Sequence, residues 1–242
     1  MIGKIPPTMQ RAVTAFLCTG LLFCCACVKR RGDLVTTDEG EGGGSGVSSG
    51  PLARPRRVTT SPENEFLPAL SPDGRRLAYV SDRSGNLDIW LESLDPGVRR
   101  GARRLTFSAA TDTEPAFSPD GERLLFTSMR EDVLGDIYEA RITRVSGRSE
   151  PELRRLTSAG RAERSPVYAP DGASCFFTAG QGERRRIMRM KLATRQVEPV
   201  GPPGGGQPAP SPDGRYLAFT RFRMGQGERS GGVVALLDLE TG

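Results

Sequence analysis

Four aspartates recur in one setting: Ser71-Pro72-Asp73-Gly74, Ser118-Pro119-Asp120-Gly121, Ala169-Pro170-Asp171-Gly172 and Ser211-Pro212-Asp213-Gly214. Carboxylates repeated in this way could hold a cation or carry protons. Their neighbours argue for a turn instead. Proline presets φ for the second turn position, the aspartate side chain accepts from backbone N–H groups just ahead, and glycine takes the left-handed position that other residues resist. The 242-residue chain has no histidine. That excludes Ser-His-Asp and Cys-His catalysis and metal sites of the HExxH type. We therefore expect no enzyme, no metal and no cofactor.

The residues with most scope for binding lie in charged loops. Segments 61–65 (SPENE) and 108–114 (SAATDTE) carry Glu65, Asp112 and Glu114. Segments 81–86 (SDRSGN), 128–135 (SMREDVLG), 179–186 (AGQGERRR) and 221–232 (RFRMGQGERSGG) carry Arg83, Arg130, Arg184 and Arg221. Mixed charge around a concave mouth suits a polar protein or peptide partner. The alternative is ordinary solvated loop surface. Paired arginines at 56–57, 103–104 and 154–155 could form a basic rim for anionic lipid or polysaccharide. Charge on outer strands also keeps sheets from pairing edge to edge, and that reading is preferred.

The elements that position these residues follow from a repeat. The four aspartates are 47, 51 and 42 residues apart, and Pro68, Pro115, Pro166 and Pro208 stand three residues before each turn motif. An apolar run follows each turn: LAYVS from Leu77, LLFTS from Leu124, CFFTA from Cys175 and LAFTR from Leu217. Third strands are expected at 87–91, 136–140, 186–190 and 233–237, and outer strands at 56–60, 103–107, 154–158 and 197–200. Runs that are apolar on both faces suit strands sandwiched between neighbouring sheets. Four-stranded antiparallel meanders of roughly 40–50 residues are the blades of a β-propeller. The expected fold is therefore all-β, with four blade equivalents over residues 56–242. Trp90, Tyr138 and Met188 share a place in the third strand and are expected to pack between blades. The meander gathers the charged loops at one end of the ring. Pairing 56–60 against 233–239 would close the ring and remove both free edges. Three arrangements remain open: a four-bladed ring, an assembly with another copy, or a truncated part of a longer gene.

The unit P-x-(F/L)-SPDG-x-x-L-x-(F/Y), followed by DIW or DIY, resembles the propeller repeat of the TolB family over residues 56–242. It also resembles the propeller domains of prolyl oligopeptidase relatives. By resemblance to TolB, the expected role is a non-catalytic protein-protein interaction module of the bacterial cell envelope. The alternatives are a polysaccharide-binding or polysaccharide-degrading propeller, or a propeller domain of a larger protein. A close pair of carboxylates with raised pKa at the ring mouth would favour the enzyme. Arginine and exposed apolar groups there would favour binding.

The N-terminus carries an address. Lys4 and Arg11 precede an uncharged run from Ala12 to Val28 that is short for a membrane span. Ala26-Cys27 resembles the end of a bacterial lipobox, although Cys24 and Cys25 occupy the positions where that motif prefers leucine and a small residue. The expected organisation is a lipoprotein signal peptide at 1–26, a Gly/Ser-rich tether at 27–55 with Cys27 as the lipid attachment site, and the propeller at 56–242. Plain secretion and an uncleaved anchor are the alternatives. Val28, rather than aspartate, follows Cys27, which in this resemblance points to the outer membrane, facing the periplasm. A flexible tether of this length reaches roughly 30 Å. Cleavage would leave a net charge of +3, since Lys4 and Arg11 leave with the peptide. That is too weak a basic excess to imply nucleic acid. Cys175 is the only cysteine after Cys27, so no internal disulfide is expected.

Overall fold

The computed structural model describes residues 56–95, 101–142, 150–223 and 231–241. The expected signal peptide, the tether and Cys27 lie outside the described residues.

The chain folds into four antiparallel sheets, each a meander in sequence order. Blade 1 is β1 (Glu65–Leu70), β2 (Arg76–Ser81), β3 (Asp88–Ser93) and β4 (Arg103–Arg104). Blade 2 is β5 (Asp112–Phe117), β6 (Arg123–Ser128), β7 (Asp136–Arg141) and β8 (Leu153–Arg155). Blade 3 is β9 (Glu163–Tyr168), β10 (Ser174–Ala179), β11 (Arg186–Lys191) and β12 (Val197–Val200). Blade 4 has three described strands, β13 (Gly205–Pro210), β14 (Tyr216–Arg223) and β15 (Gly231–Asp238). The first strands β1, β5, β9 and β13 touch one another in succession, so they line a common axis. The molecule is an all-β propeller.

Each Pro-Asp-Gly segment is the hairpin between a first and a second strand. Gly74, Gly121, Gly172 and Gly214 all hold φ between 64° and 74°, and each donates its N–H to the carbonyl three residues back at 2.8–2.9 Å. The aspartate accepts the backbone N–H two residues on, at 3.0 Å for Asp73, 2.9 Å for Asp120 and Asp171, and 3.1 Å for Asp213. Ser71, Ser118 and Ser211 also donate their hydroxyls to these carboxylates. That bond, before any other cause, holds Asp73, Asp120 and Asp213 below the usual carboxylate range. The aspartates are turn residues.

The repeated proline has a second meaning. Leu67, Glu114, Ser165 and Gln207, each directly before it, adopt φ between 51° and 56°. At each of these places the pairing of first and second strands slips by a bulge. A bulge sharpens the bend of the strand, here at the axis where the strands crowd.

Three apolar clusters mark three blade-to-blade junctions. Ala78, Ile89 and Leu105 meet Leu124, Phe126 and Tyr138 between blades 1 and 2. Leu125, Ile137 and Leu156 meet Tyr168, Cys175 and Phe177 between blades 2 and 3. Phe176 and Ile187 meet Leu217 and Phe219 between blades 3 and 4. Successive residues of β6 and β10 thus point into different junctions, as the two-sided apolar runs require. Burying each large side chain contributes about 1.5–3 kcal/mol. Tyr138 stacks at a tilt on Phe126 with ring centres 5.8 Å apart, and Met188 packs against the second cluster. Tyr138 and Met188 are inter-blade packing, whereas Trp90 is only partly buried, belongs to none of the three clusters and lies beneath the Arg83 guanidinium of its own blade.

The expected pairing of 56–60 with the last strand is not found. Among the described residues no strand forms at 56–60, and β15 is paired only to β14. No described strand of blade 4 lies against one of blade 1, so the four blades form an open arc. The physical reason is distance: a strand that must close a ring can pair only if its two ends meet.

Candidate functional site

The antiparallel meander gathers the loops between second and third strands, and the segments leading into the first strands, at one end of the arc. Asn64 ties the two sets together in blade 1, donating from N and Nδ2 to the Asp82 carboxylate at 3.0 and 2.7 Å.

In blades 1 and 2 the charges of this end are paired internally. Arg83 Nη2 lies 2.7 Å from Glu65 Oε1, and its guanidinium stacks 4.1 Å from the Trp90 ring centre. Arg83 also donates to the Tyr79 hydroxyl, whose pKa burial pushes up to about 12. Arg130 repeats the arrangement with Asp112 at 3.1 Å and Glu150 at 3.2 Å, its guanidinium 5.1 Å from the Tyr138 ring centre. Glu114 bridges two blades, accepting from Thr127 Oγ1 at 2.7 Å and from Ser165 N and Oγ at 2.8 and 2.9 Å. Five of the seven expected binding residues therefore serve as struts of the fold: Glu65, Arg83, Asp112, Glu114 and Arg130.

The paired arginines are likewise engaged. Arg104 Nη2 lies 2.7 Å from Asp88 Oδ2, and Arg155 Nη2 lies 2.7 Å from Asp136 Oδ2. The following threonines, Thr106 and Thr157, accept the N–H groups of Ile89 and Ile137 at 3.0 and 2.9 Å. The RRLT motif thus locks onto the Asp-Ile pair that begins the third strand. The two motifs recur together in the sequence, and that spacing was the signal from which the lock could have been read.

These locks place acids side by side at the junctions. Burial raises the pKa of Asp88, Asp112, Asp136 and Glu163. The Asp88 charge lifts Asp112 further, and Asp136 lifts Glu163. Raised carboxylate pairs are what an acid/base enzyme would need. All four side chains are at most 2% exposed. Each also lies beside an arginine, Arg104, Arg130, Arg155 or Arg161. A general acid must come within hydrogen-bond reach of its substrate, and these groups are sealed from one. Cys175 is buried too, its pKa pushed up to about 12 by burial, so it is a poor nucleophile.

Blades 3 and 4 differ. Arg186 stands where blades 1 and 2 carry Asp88 and Asp136, and Gly205 stands where they carry Asp112 and Glu163 at the next junction. Both acids of the lock are gone. Arg184 is exposed at the end of a short 3-10 turn, Gly182–Arg184. Arg221 pairs across the sheet with Gly205. Arg185 lies 4.4 Å over the Phe222 ring, its pKa lowered by burial. Among the described residues, Arg164, Arg184, Arg185, Arg186 and Arg221 form no ion pair. One side of the mouth is neutralised and the other is basic.

Fold and surface together define a blade-repeat β-propeller with a charged, non-uniform mouth and no accessible acid/base pair among the described residues. The chain belongs to the TolB β-propeller domain family, whose model matches residues 52–240. A 51-residue stretch is 43% identical to the Tol-Pal system protein TolB of Bordetella pertussis, covering 21% of this chain and 12% of that one. The crystal structure of TolB from Acinetobacter baumannii superposes with a TM-score of 0.64 at 27% identity, over 78% of this chain and 45% of that chain. A puromycin-hydrolysing peptidase from Mycobacterium tuberculosis shares the fold, with a TM-score of 0.54 at 18% identity over 74% of this chain and 30% of that one. The chain thus spans less than half the length of these relatives.

Proposed function

We propose that this TolB-like propeller is a non-catalytic docking module for a protein partner in the bacterial cell envelope, held at the membrane through acylated Cys27 and facing the periplasm. The observation that carries the docking role is the basic side of the mouth. Arginines at one end of blades 3 and 4 lack ion pairs among the described residues, whereas the same end of blades 1 and 2 satisfies its own charges. A polar surface that leaves cations unpaired favours a partner with acidic side chains, because complementary charge speeds encounter and fixes orientation. The family and the relatives named for the Tol-Pal system support the envelope setting. The Ala26-Cys27 motif supports the tether.

The test is crosslinked affinity capture from envelope membranes with the full chain, alongside an Arg184→Glu/Arg221→Glu variant. Both residues lie outside the struts, so the variant should fold normally while losing its captured partner by about tenfold or more. Equal capture by the variant would remove the basic surface as the docking site. Mass measurement of the mature N-terminus, with Cys27→Ala as control, tests the tether. A mature wild-type N-terminus without acyl mass on Cys27 would show that no lipid holds the chain.

A further inference from the structure

The hairpin end of the propeller, opposite the mouth, holds a cleft between blades 3 and 4. One place in the repeat explains it. The last residue of the first strand is Phe117 in blade 2, Tyr168 in blade 3 and Pro210 in blade 4, and these pair with the same place in their second strands, Leu124, Cys175 and Leu217. Phe117 packs into the apolar cluster between blades 1 and 2, as does Leu91. Tyr168 lies in the cluster between blades 2 and 3 with Leu125 and Leu192. Pro210 belongs to none of the three clusters. A proline ring carries far less side chain than an aromatic one, and a cleft of about 300 Å³ stands where that ring would lie. Its walls include Pro170 together with Phe176 and Leu239, the counterparts of Leu125 and Leu192.

The polar group at this place has also changed sign. Glu139 pairs with Leu125 in blade 2, and Arg189 pairs with Phe176 in blade 3. Glu139 is satisfied, accepting the Tyr168 hydroxyl at 2.8 Å and lying 2.9 Å from Arg154 Nη2. Arg189 is not. Its Nη2 reaches Ser174 Oγ at 3.4 Å and Asp171 Oδ2 at 4.0 Å, and its Nε is buried with no hydrogen-bond partner among the described residues. A donor buried without a partner is destabilising, and an acceptor brought into the cleft would relieve it. The rim carries the opposite charge, since Asp213 and Glu240 line the cleft and are exposed.

We propose that this cleft binds a free aromatic α-amino acid. The ring takes the place that Tyr168 fills one junction earlier, against Phe176 and Leu239. The α-carboxylate accepts from Arg189, and the α-ammonium faces Asp213 and Glu240. Each group follows from the wall it meets. A carboxylate alone would confront an acidic rim, and an amine alone would leave Arg189 unpaired. A volume at the small end of ligand pockets suits a molecule of this size. The cleft shares no residue with the basic side of the mouth, so it is independent of the docking role.

The experiment is isothermal titration calorimetry of the full chain in detergent with L-phenylalanine and with two analogues that each lack one charge, phenethylamine and 3-phenylpropionate. L-phenylalanine should bind once per chain, and each analogue should bind about tenfold more weakly or not at all. Arg189→Met keeps an unbranched side chain but removes the donor, so it should keep its far-ultraviolet circular dichroism while weakening L-phenylalanine binding by about tenfold or more. An Arg189→Glu/Pro210→Tyr variant rebuilds the arrangement found between blades 2 and 3. It should bind no L-phenylalanine and melt above wild type, because its own tyrosine fills the cleft. That rise in melting temperature separates a filled site from a damaged fold. Three results would each overturn the proposal: no binding of L-phenylalanine at millimolar concentration, an analogue that binds as tightly, or wild-type affinity in either variant.

Discussion

Asp112 and Asp120 lie eight residues apart in the same blade and respond to pH in opposite senses. Asp112 is buried, and desolvation raises its pKa against the hydrogen bond from Ser128 and the charge of Arg130. The folded protein then keeps the proton through the window between the ordinary value near 4 and the raised value. Ionisation across that window costs stability as pH rises. Asp120 is lowered, chiefly by the Ser118 hydroxyl, so its contribution is full above the ordinary value and is lost as pH falls toward its folded pKa. The stability of wild type relative to Asp112→Asn should therefore fall as pH climbs from about 4, at a limiting slope of about 1.4 kcal/mol for each pH unit of that window, and level off above the raised pKa. Relative to Asp120→Asn, wild type should instead lose its advantage as pH drops below about 4. Thermal melts of the three proteins from acid to neutral pH check both signs. Parallel curves would mean that neither carboxyl differs from its unfolded state.

At the level of elements, β6 tests the sandwich. Leu125 enters the junction with blade 3 and Phe126 the junction with blade 1, and both are fully buried. A strand on a half-solvated sheet would tolerate truncation on one face. Here Leu125→Ala should cost about 2–5 kcal/mol and Phe126→Ala about 3–5 kcal/mol, by denaturant titration. A near-neutral effect of either would mean that one face of β6 is open. This two-sidedness was legible in the apolar runs, as were the four hairpins, because proline, aspartate and glycine have conformations of their own. The bulges were not legible. Nothing in the type of Leu67, Glu114, Ser165 or Gln207 announces a positive φ; only the proline that follows each marks the place. The mouth was half legible. Sequence located Arg83, Arg130, Arg184 and Arg221 at one end, but whether an arginine meets an acid depends on distances across strands. Glu65 and Asp112 therefore became struts while Arg184 and Arg221 were left without ion pairs among the described residues. The outer strand at 56–60 failed for a related reason, since its partner lies on a blade that the described arc does not bring to it.

Across the whole molecule, an array in which each blade touches only its neighbours has stability that depends on position. Among the described residues, blades 2 and 3 each pack against two neighbouring blades, while blades 1 and 4 each pack against one. Blade 4 is weakest by this reasoning. Gly205 and Gly206 start its first strand with no side chain to pack, the acids of the lock are absent, and β15 has an unpaired edge among the described residues. Local opening should therefore be easiest at β15 and hardest at β6 and β10. The same blade borders the basic side of the mouth, so the least stable element is the one most exposed to a partner. Amide hydrogen exchange by mass spectrometry should show peptides of β15 exchanging first. Peptides of β14 should follow, with β6 and β10 last. Protection at β15 equal to that of β6 would show that the four blades open as one unit, and the gradient argued from nearest-neighbour packing would have to be abandoned.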